Sequence, residues 1–368
     1  MIGPSSSPPR GGSSRRRLIV LAAALLVLVA TVIILAIGGA SATSGPVSDS
    51  TQLLGTILQI TIHDEGYDQR LIDRAFERVA EIERRMSTSE DDYETTELLA
   101  VNRAAGRESV AVSPDTFAVL QTAREFSELT AGAFDVTIWP LVRLWGIGSH
   151  GTSVPDEDLI ATARELVDYR RLQLEPDGRL VALPEAGMGV DVGAIAKGYA
   201  ADEAAGILRG AGVEHALLDF GGNILVIGDK LDGSPWRIGI QRPDAERSRF
   251  LGILSVVDRT VVTSGPYERF FVENGVRYHH ILDAATGYPA RNGLHQVSIV
   301  ATRSIDADAL STATFVLGRE EGMRIIESLP DVEAVFVTED RKVYLTSGAE
   351  GLFSLTDEEY QIVASTPN

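Results

Sequence analysis

The chain contains no cysteine. Disulfides, thiolate zinc sites, a cysteine nucleophile and lipobox acylation are therefore excluded, and cysteine usage carries no information on redox compartment. Lysine is scarce as well: of 33 Lys and Arg residues only Lys197, Lys230 and Lys342 are lysine. Everywhere else a positive charge is supplied by arginine. A lysine inside "VDVGAIAKGYAAD" (Val190–Asp202), at the opening of an alanine-rich stretch, thus needs a reason of its own. Basic residues are few overall, and the formal net charge is −19. Setting aside Arg10, Arg15, Arg16 and Arg17 leaves 29 basic against 52 acidic side chains, a charge of −23. Such a body repels nucleic acid, so no DNA or RNA partner is expected. A phosphate ligand would need a local answer to that field: a metal ion, a lysine or a helix N-terminus.

What is present is ordinary globular material. Hydrophobic residues make up 44% and charged residues 23% of 368 positions, enough for one large domain or two smaller ones with a well-buried core. The N-terminus is different. Residues 1–17 form a basic tail, residues 18–38 an apolar run, and residues 39–50 a small, polar linker. Twenty helical residues span about 30 Å, one bilayer core. Arginines before the run and none directly after it place the tail in the cytoplasm and the body outside. Two readings stay open: a retained transmembrane signal-anchor, or a signal peptide cleaved after Ala40-Ser41-Ala42. "SRRRLI" also resembles a twin-arginine export signal.

Beyond the linker, strands and helices mix without regular alternation. Leu71, Ile72, Ala75, Phe76, Val79, Ile82 and Met86 recur at helical spacing. Ser113-Pro114 reads as an N-cap followed by proline in the first turn, opening a helix to about Leu129. "TILQITIH", "LHQVSIVA" and "VEAVFVTEDRKVYLTS" read as a strand, a strand and a terminal hairpin, and "EHALLDFGGNILVIGD" as two strands around Gly221-Gly222. Ala196, Ala200, Ala204, Leu208 and Ala211 mark a further helix, and another is expected from about Ile305. The expected fold class is α+β, with mixed sheets and packed helices in one interlocked catalytic unit over residues 51–357 and a tail at 358–368.

Several motifs have both a structural and a chemical reading. "GIGSHG" (Gly146–Gly151) fits G-x-G-x-x-G, but it does not open a helix after a strand, so a dinucleotide site is not expected there. From Ala307 to Leu317 the only charged side chain is Asp308, in a stretch apolar nearly all round. A buried carboxylate needs partners, either backbone N–H groups and a distant arginine, or a cation. Thr312 lies one turn on, on the same face. Two hard oxygen donors suit Mg²⁺ or Ca²⁺. His279 and His280 alternate in "RYHHILDAATGYP", so one faces each side of a strand. Gly221-Gly222 permits a plain hairpin turn or close approach of backbone to a ligand. Asp135 sits among Phe134, Trp139 and Trp145, a core or a seat for a flat ring.

Taken in order, "MSTSEDDYETTELLAVN", "GAFDVTIWPLVRLWGIG", "VDVGAIAKGYAAD", "LLDFGGNI", "TSGPYERFF", "RYHHILDAATGYP" and "DADALSTATFVLG" resemble the ApbE-type flavin transferases, the FAD:protein FMN transferases. The resemblance spans Gly55 to about Gly318. It implies Mg²⁺-dependent transfer of FMN from FAD to a threonine or serine hydroxyl of an extracytoplasmic partner, a subunit of membrane redox machinery, with release of AMP. It also implies site residues. The metal would be held by Asp308, Thr312 and the carbonyl of Ala194. FAD would be bound by Met86, Asp135, Trp145, Lys197, Gly221, Gly222, Ser264 and His280. His280 is the implied proton acceptor, with Asp308 the second catalytic group. The spacing of "MSTSEDDYETTEL" departs from the usual family loop. Phosphoryl transfer is mostly positioning and charge neutralisation, which gives Lys197 its reason. The same residues would serve hydrolysis of FAD to FMN and AMP, or an anchored flavin-binding protein without turnover.

Overall fold

The computed structural model describes Gly3, residues 45–243 and residues 249–363. The apolar run at 18–38 and, Gly3 apart, its basic tail lie outside the described residues, among which no helix is long and apolar enough to cross a membrane.

Eight α-helices follow one another among the described residues: α1 (Gln69–Met86), α2 (Glu97–Ala104), α3 (Pro114–Leu129), α4 (Trp139–Trp145), α5 (Glu157–Glu165), α6 (Ala196–Gly210), α7 (Ser304–Leu317) and α8 (Arg319–Glu327). Local chemistry explains where the first long ones begin. The Asp68 carboxylate accepts from Arg70 N–H at 3.1 Å at the head of α1. Ser113 caps α3, accepting from Thr116 N–H at 3.3 Å, with Pro114 in the first turn.

The frame is a nine-stranded sheet whose strands lie side by side in chain order. They are Val47–Leu53, Thr56–Ile62, Ala216–Phe220, Asn223–Ile227, Thr260–Ser264, Leu294–Ala301, Glu333–Thr338, Lys342–Leu345 and Gln361–Ile362. All neighbours are antiparallel except the last pair. The mixed α+β class expected from the sequence is the fold observed. Both faces of the central strands are buried, and alternate residues divide between them. Val262, Ile299 and Phe336 pack under the helices, whereas Val261, Val300 and Val337 pack against a second, three-stranded sheet. That second sheet contains Phe353–Leu355, Phe250–Val256 and Trp236–Gln241.

The edges of the main sheet differ from the sequence expectation. A strand begins at Val47, inside the stretch read as linker to residue 50, and Gln361–Ile362 joins the opposite edge from within the expected tail. Both segments are largely polar or exposed and pair through backbone groups, so side-chain periodicity carries no sign of them. The C-terminal segment is also clasped by Arg242, which reaches Asp357 at 2.9 Å and Glu359 at 3.0 Å.

Candidate active site

The site forms where the N-termini of α6 and α7 meet. Neither helix caps itself with a side chain. Instead each is capped by a carboxylate from the other. Asp308, on α7, accepts from Gly198 N–H of α6 at 2.9 Å. Asp202, on α6, accepts from Ser304 N–H at 2.8 Å and Ile305 N–H at 2.9 Å at the head of α7. The arrangement needs glycine at 198: a Cβ there would lie 2.2 Å from the Ser304 carbonyl oxygen. Two helix N-termini thus bring their partial positive charge to one place.

Asp308 is 3% exposed. Its other partner is Lys197, whose Nζ lies 3.2 Å from Oδ1. The partner of the buried aspartate is therefore a lysine together with a backbone N–H, and no arginine takes part. Around it are hydroxyls. Ser264 Oγ is 2.8 Å from Ser311 Oγ and 3.5 Å from Thr312 Oγ1. In a regular helix Gly198 N–H would turn back to the carbonyl of Ala194, four residues earlier. In the first turn of α6 it is given to Asp308 instead, and the Ala194 carbonyl, two residues before the helix, receives no backbone hydrogen bond among the described residues. A carboxylate, hydroxyls and a free carbonyl form an all-oxygen donor set, which fits a hard divalent cation such as Mg²⁺. Among the described residues no cluster of three or more His, Cys, Asp or Glu side chains could hold a metal, so any cation here would lean on hydroxyl, carbonyl and substrate oxygens.

His280 follows directly on the strand Val276–His279. Its Nδ1 lies 3.3 Å from the Arg269 carbonyl oxygen. A carbonyl can only accept, so Nδ1 carries the proton and Nε2 keeps its lone pair. By surface area the residue is half-buried, yet the packing around its ring and the charges of Arg269 and Lys197 hold its pKa far down, at about 3. His280 is therefore neutral at pH 7. Its neighbour His279 is buried, hydrogen-bonded to the Ala290 carbonyl at 3.0 Å, and pushed down by burial to about 4. The pair splits as strand alternation predicts, one ring in the core and one half-exposed. Both folded values lie below the ordinary 6.5. As pH falls from about 6.5 towards 4, the unfolded chain takes up protons that the native chain refuses, so stability falls across that window. Thermal unfolding between pH 7 and 5 should show this slope, and His280→Gln should lessen it.

The remaining residues singled out in the sequence are placed as follows. Met86 is buried at the end of α1 in the main core. Asp135 is buried, with one oxygen on Thr137 N–H and Oγ–H at 2.8 and 2.6 Å and the other on Tyr169 N–H at 3.0 Å. Burial still raises its pKa. Its carboxylate is thus engaged locally. Trp145 is 1% exposed, stacks on Phe271 and Tyr278, and donates from Nε1 to the Gly287 carbonyl at 2.8 Å. Gly221 and Gly222 both have positive φ, 68° and 90°, in the two-residue hairpin turn. A Cβ on Gly221 would strike the Thr56 side chain at 2.4 Å, whereas Gly222 faces open space. Lys197, Ser264, Asp308 and Thr312 come together; Met86, Asp135 and Trp145 sit in packed surroundings.

Asp191 went unrecognised in the sequence. It accepts from Thr88 Oγ at 2.7 Å and from Gly193 N–H at 2.8 Å, tying the "MSTS" loop to the turn that carries Ala194. Its signal is the aspartate of "VDVGA", three residues before Ala194. A shallow cavity of about 430 Å³ lies elsewhere, among Tyr67, Arg70, Leu71, Arg74 and Ala211 at the C-terminal end of α6, and none of the site residues lines it.

Motif order, fold and this oxygen-lined helix junction converge on one class, and the chain belongs to the ApbE family, whose model matches residues 54–336. A FAD:protein FMN transferase from Klebsiella pneumoniae is 37% identical over 319 residues, covering 87% of this chain and 98% of its own. Another, from Treponema pallidum, is 36% identical and covers 84% of this chain and 89% of its own. The crystal structure of the ApbE protein from Thermotoga maritima superposes with a TM-score of 0.76 at 31% identity, covering 83% of this chain and 98% of that one. The flavin transferase ApbE from Vibrio cholerae gives 0.75 at 29% identity, with 83% and 99% covered.

Proposed function

We propose that this chain is a FAD:protein FMN transferase that moves the FMN half of FAD onto a threonine or serine hydroxyl of a partner protein and releases AMP. The observation that carries this reading is the sequestered Asp308, set among Lys197, Ser264, Ser311 and Thr312 at two helix N-termini inside a strongly acidic chain. Asp308, Thr312 and the Ala194 carbonyl would hold Mg²⁺, which when bound would neutralise charge on the pyrophosphate. Lys197 binds a phosphate oxygen as a mobile point charge, and the N–H groups of α6 and α7 add to the same field. The neutral His280 takes the hydroxyl proton on Nε2. The acceptor oxygen then bonds to the FMN phosphorus, the P–O bond to AMP breaks, and AMP leaves with the electron pair. The dianionic pyrophosphate beside His280 would raise its pKa from the low ligand-free value, strengthening the base when FAD is bound.

The same reading places the body outside the cytoplasm, tethered through residues 18–38, where its partner would be a flavin-carrying subunit of membrane redox machinery. The support is the apolar run itself, with arginines on its N-terminal side and none directly after it. The test is intact-mass spectrometry of a candidate acceptor after incubation with the full chain, FAD and Mg²⁺. Addition of one FMN, lost when Mg²⁺ is chelated, is the expected result. FMN and AMP formed equally fast with no acceptor modified would replace transfer by hydrolysis.

A further inference from the structure

We propose that Asp202 is a positioning residue for the phosphate- and cation-binding end of this site, holding the head of α7 so that Asp308 and Thr312 face Lys197. Among the described residues Asp202 hydrogen-bonds to none of these groups. It acts through two backbone N–H groups, those of Ser304 and Ile305, at 2.8 and 2.9 Å.

The geometry is reciprocal. Asp202 lies four residues after Gly198, and Asp308 four residues after Ser304, so each helix presents an N-terminal turn and a carboxylate on one face. Each carboxylate closes the other helix's N-terminus. A sliding or rolling motion of either helix breaks both caps together. The head of α7 is also fixed to the sheet. Ser304 Oγ donates to Asn223 Oδ1 at 2.7 Å, and Thr260 Oγ lies 3.0 Å from Ser304 Oγ. Asn223 immediately follows Gly221-Gly222. One clasp thus registers α6, α7 and the glycine hairpin against each other. Burial lifts the Asp202 carboxyl to about 6, so it is still ionised at neutral pH and remains a charged cap.

This inference rests on the reading that Asp308 seats a divalent cation, and the two can fail separately. The experiment compares full-chain wild type with Asp202→Ala, Asp202→Asn and Asp308→Ala. A control is Thr346→Ala, which removes a buried hydroxyl from the far end of the sheet. Mn²⁺ affinity by EPR, FAD affinity by fluorescence, and amide exchange at Gly198 are measured for each. Asp202→Ala is expected to weaken Mn²⁺ and FAD binding by about tenfold or more, as loss of an orienting partner does. It should also speed exchange at Gly198, a group Asp202 does not contact. Asp202→Asn, which keeps a single acceptor, falls between. Thr346→Ala should lower the melting temperature while leaving both affinities and Gly198 exchange unchanged. Wild-type affinities and Gly198 exchange in Asp202→Ala would overturn the proposal, as would equal losses in the control. Should Asp202→Ala not fold, Asp202→Asn decides by the same criteria. Unchanged Mn²⁺ affinity in Asp308→Ala would sink the cation reading instead, and Gly198 exchange would then judge the clasp alone.

Discussion

Asp308→Asn is expected to leave a folded protein that transfers FMN at least about a thousandfold more slowly. The asparagine carbonyl still accepts from Gly198 N–H, so the cap on α6 survives. What disappears is the negative charge beside the hydroxyls of Ser264, Ser311 and Thr312, and with it the anionic oxygen that would draw a cation into the proposed site. Lys197, whose side chain is 25% exposed, loses its partner but can turn to water. Asp308→Ala goes further. It strands the buried Gly198 N–H, which costs roughly 1–3 kcal/mol in addition to the lost charge. The two variants therefore separate chemistry from folding. Asn lowers rate and cation affinity with a nearly unchanged melting temperature, whereas Ala lowers all three. Thermal unfolding beside intact-mass kinetics reads the difference. Transfer at the wild-type rate by Asp308→Asn would remove Asp308 from the chemistry.

Much of this site could be read in the sequence because burial and charge conflict there. A lone carboxylate in an apolar helix and a lone lysine in an arginine-rich chain are both anomalies of local context, and the fold joins them at 3.2 Å. Long elements were legible from other local signals: α1 by its helical period, α3 by the Ser113-Pro114 cap, and the central strands as short apolar runs. What stayed hidden depends on partners distant in sequence. Nothing near Asp135 reveals that the Tyr169 N–H takes up one of its oxygens. The core setting of Trp145 depends on Tyr278 and Phe271, more than a hundred residues away. Edge strands such as Val47–Leu53 pair through backbone and leave no side-chain pattern. Asp202 closed a quoted motif, yet its role required knowing that Ser304 and Ile305 begin a helix beside it.

Gly198→Ala should be the most disruptive single methyl in the molecule's active end. The added Cβ would lie 2.2 Å from Ser304 O, 2.6 Å from Ser304 C and 2.7 Å from Ile305 Cα. All three are backbone atoms, so no side-chain rotation relieves the contact. The helices must separate, and the only atoms that can yield are those whose N–H groups Asp202 holds. Overpacking of this kind costs about 1–3 kcal/mol. For a domain of this size that corresponds to a fall in melting temperature of roughly 2–10 °C. The functional loss should be larger than the stability loss suggests. Separation pulls Gly198 N–H off Asp308 and carries Lys197, the adjacent residue, away from the hydroxyls on α7. A displacement of about 1 Å at a phosphoryl-transfer centre is worth on the order of a hundredfold in rate. Gly206→Ala on the same helix is the matched comparison, because its Cβ meets nothing within 4 Å and helical alanine is preferred to glycine. That variant should be as stable as wild type or more so, and fully active. Equal behaviour of the two would show that the close approach of α6 and α7 at Gly198 has no part in building the site.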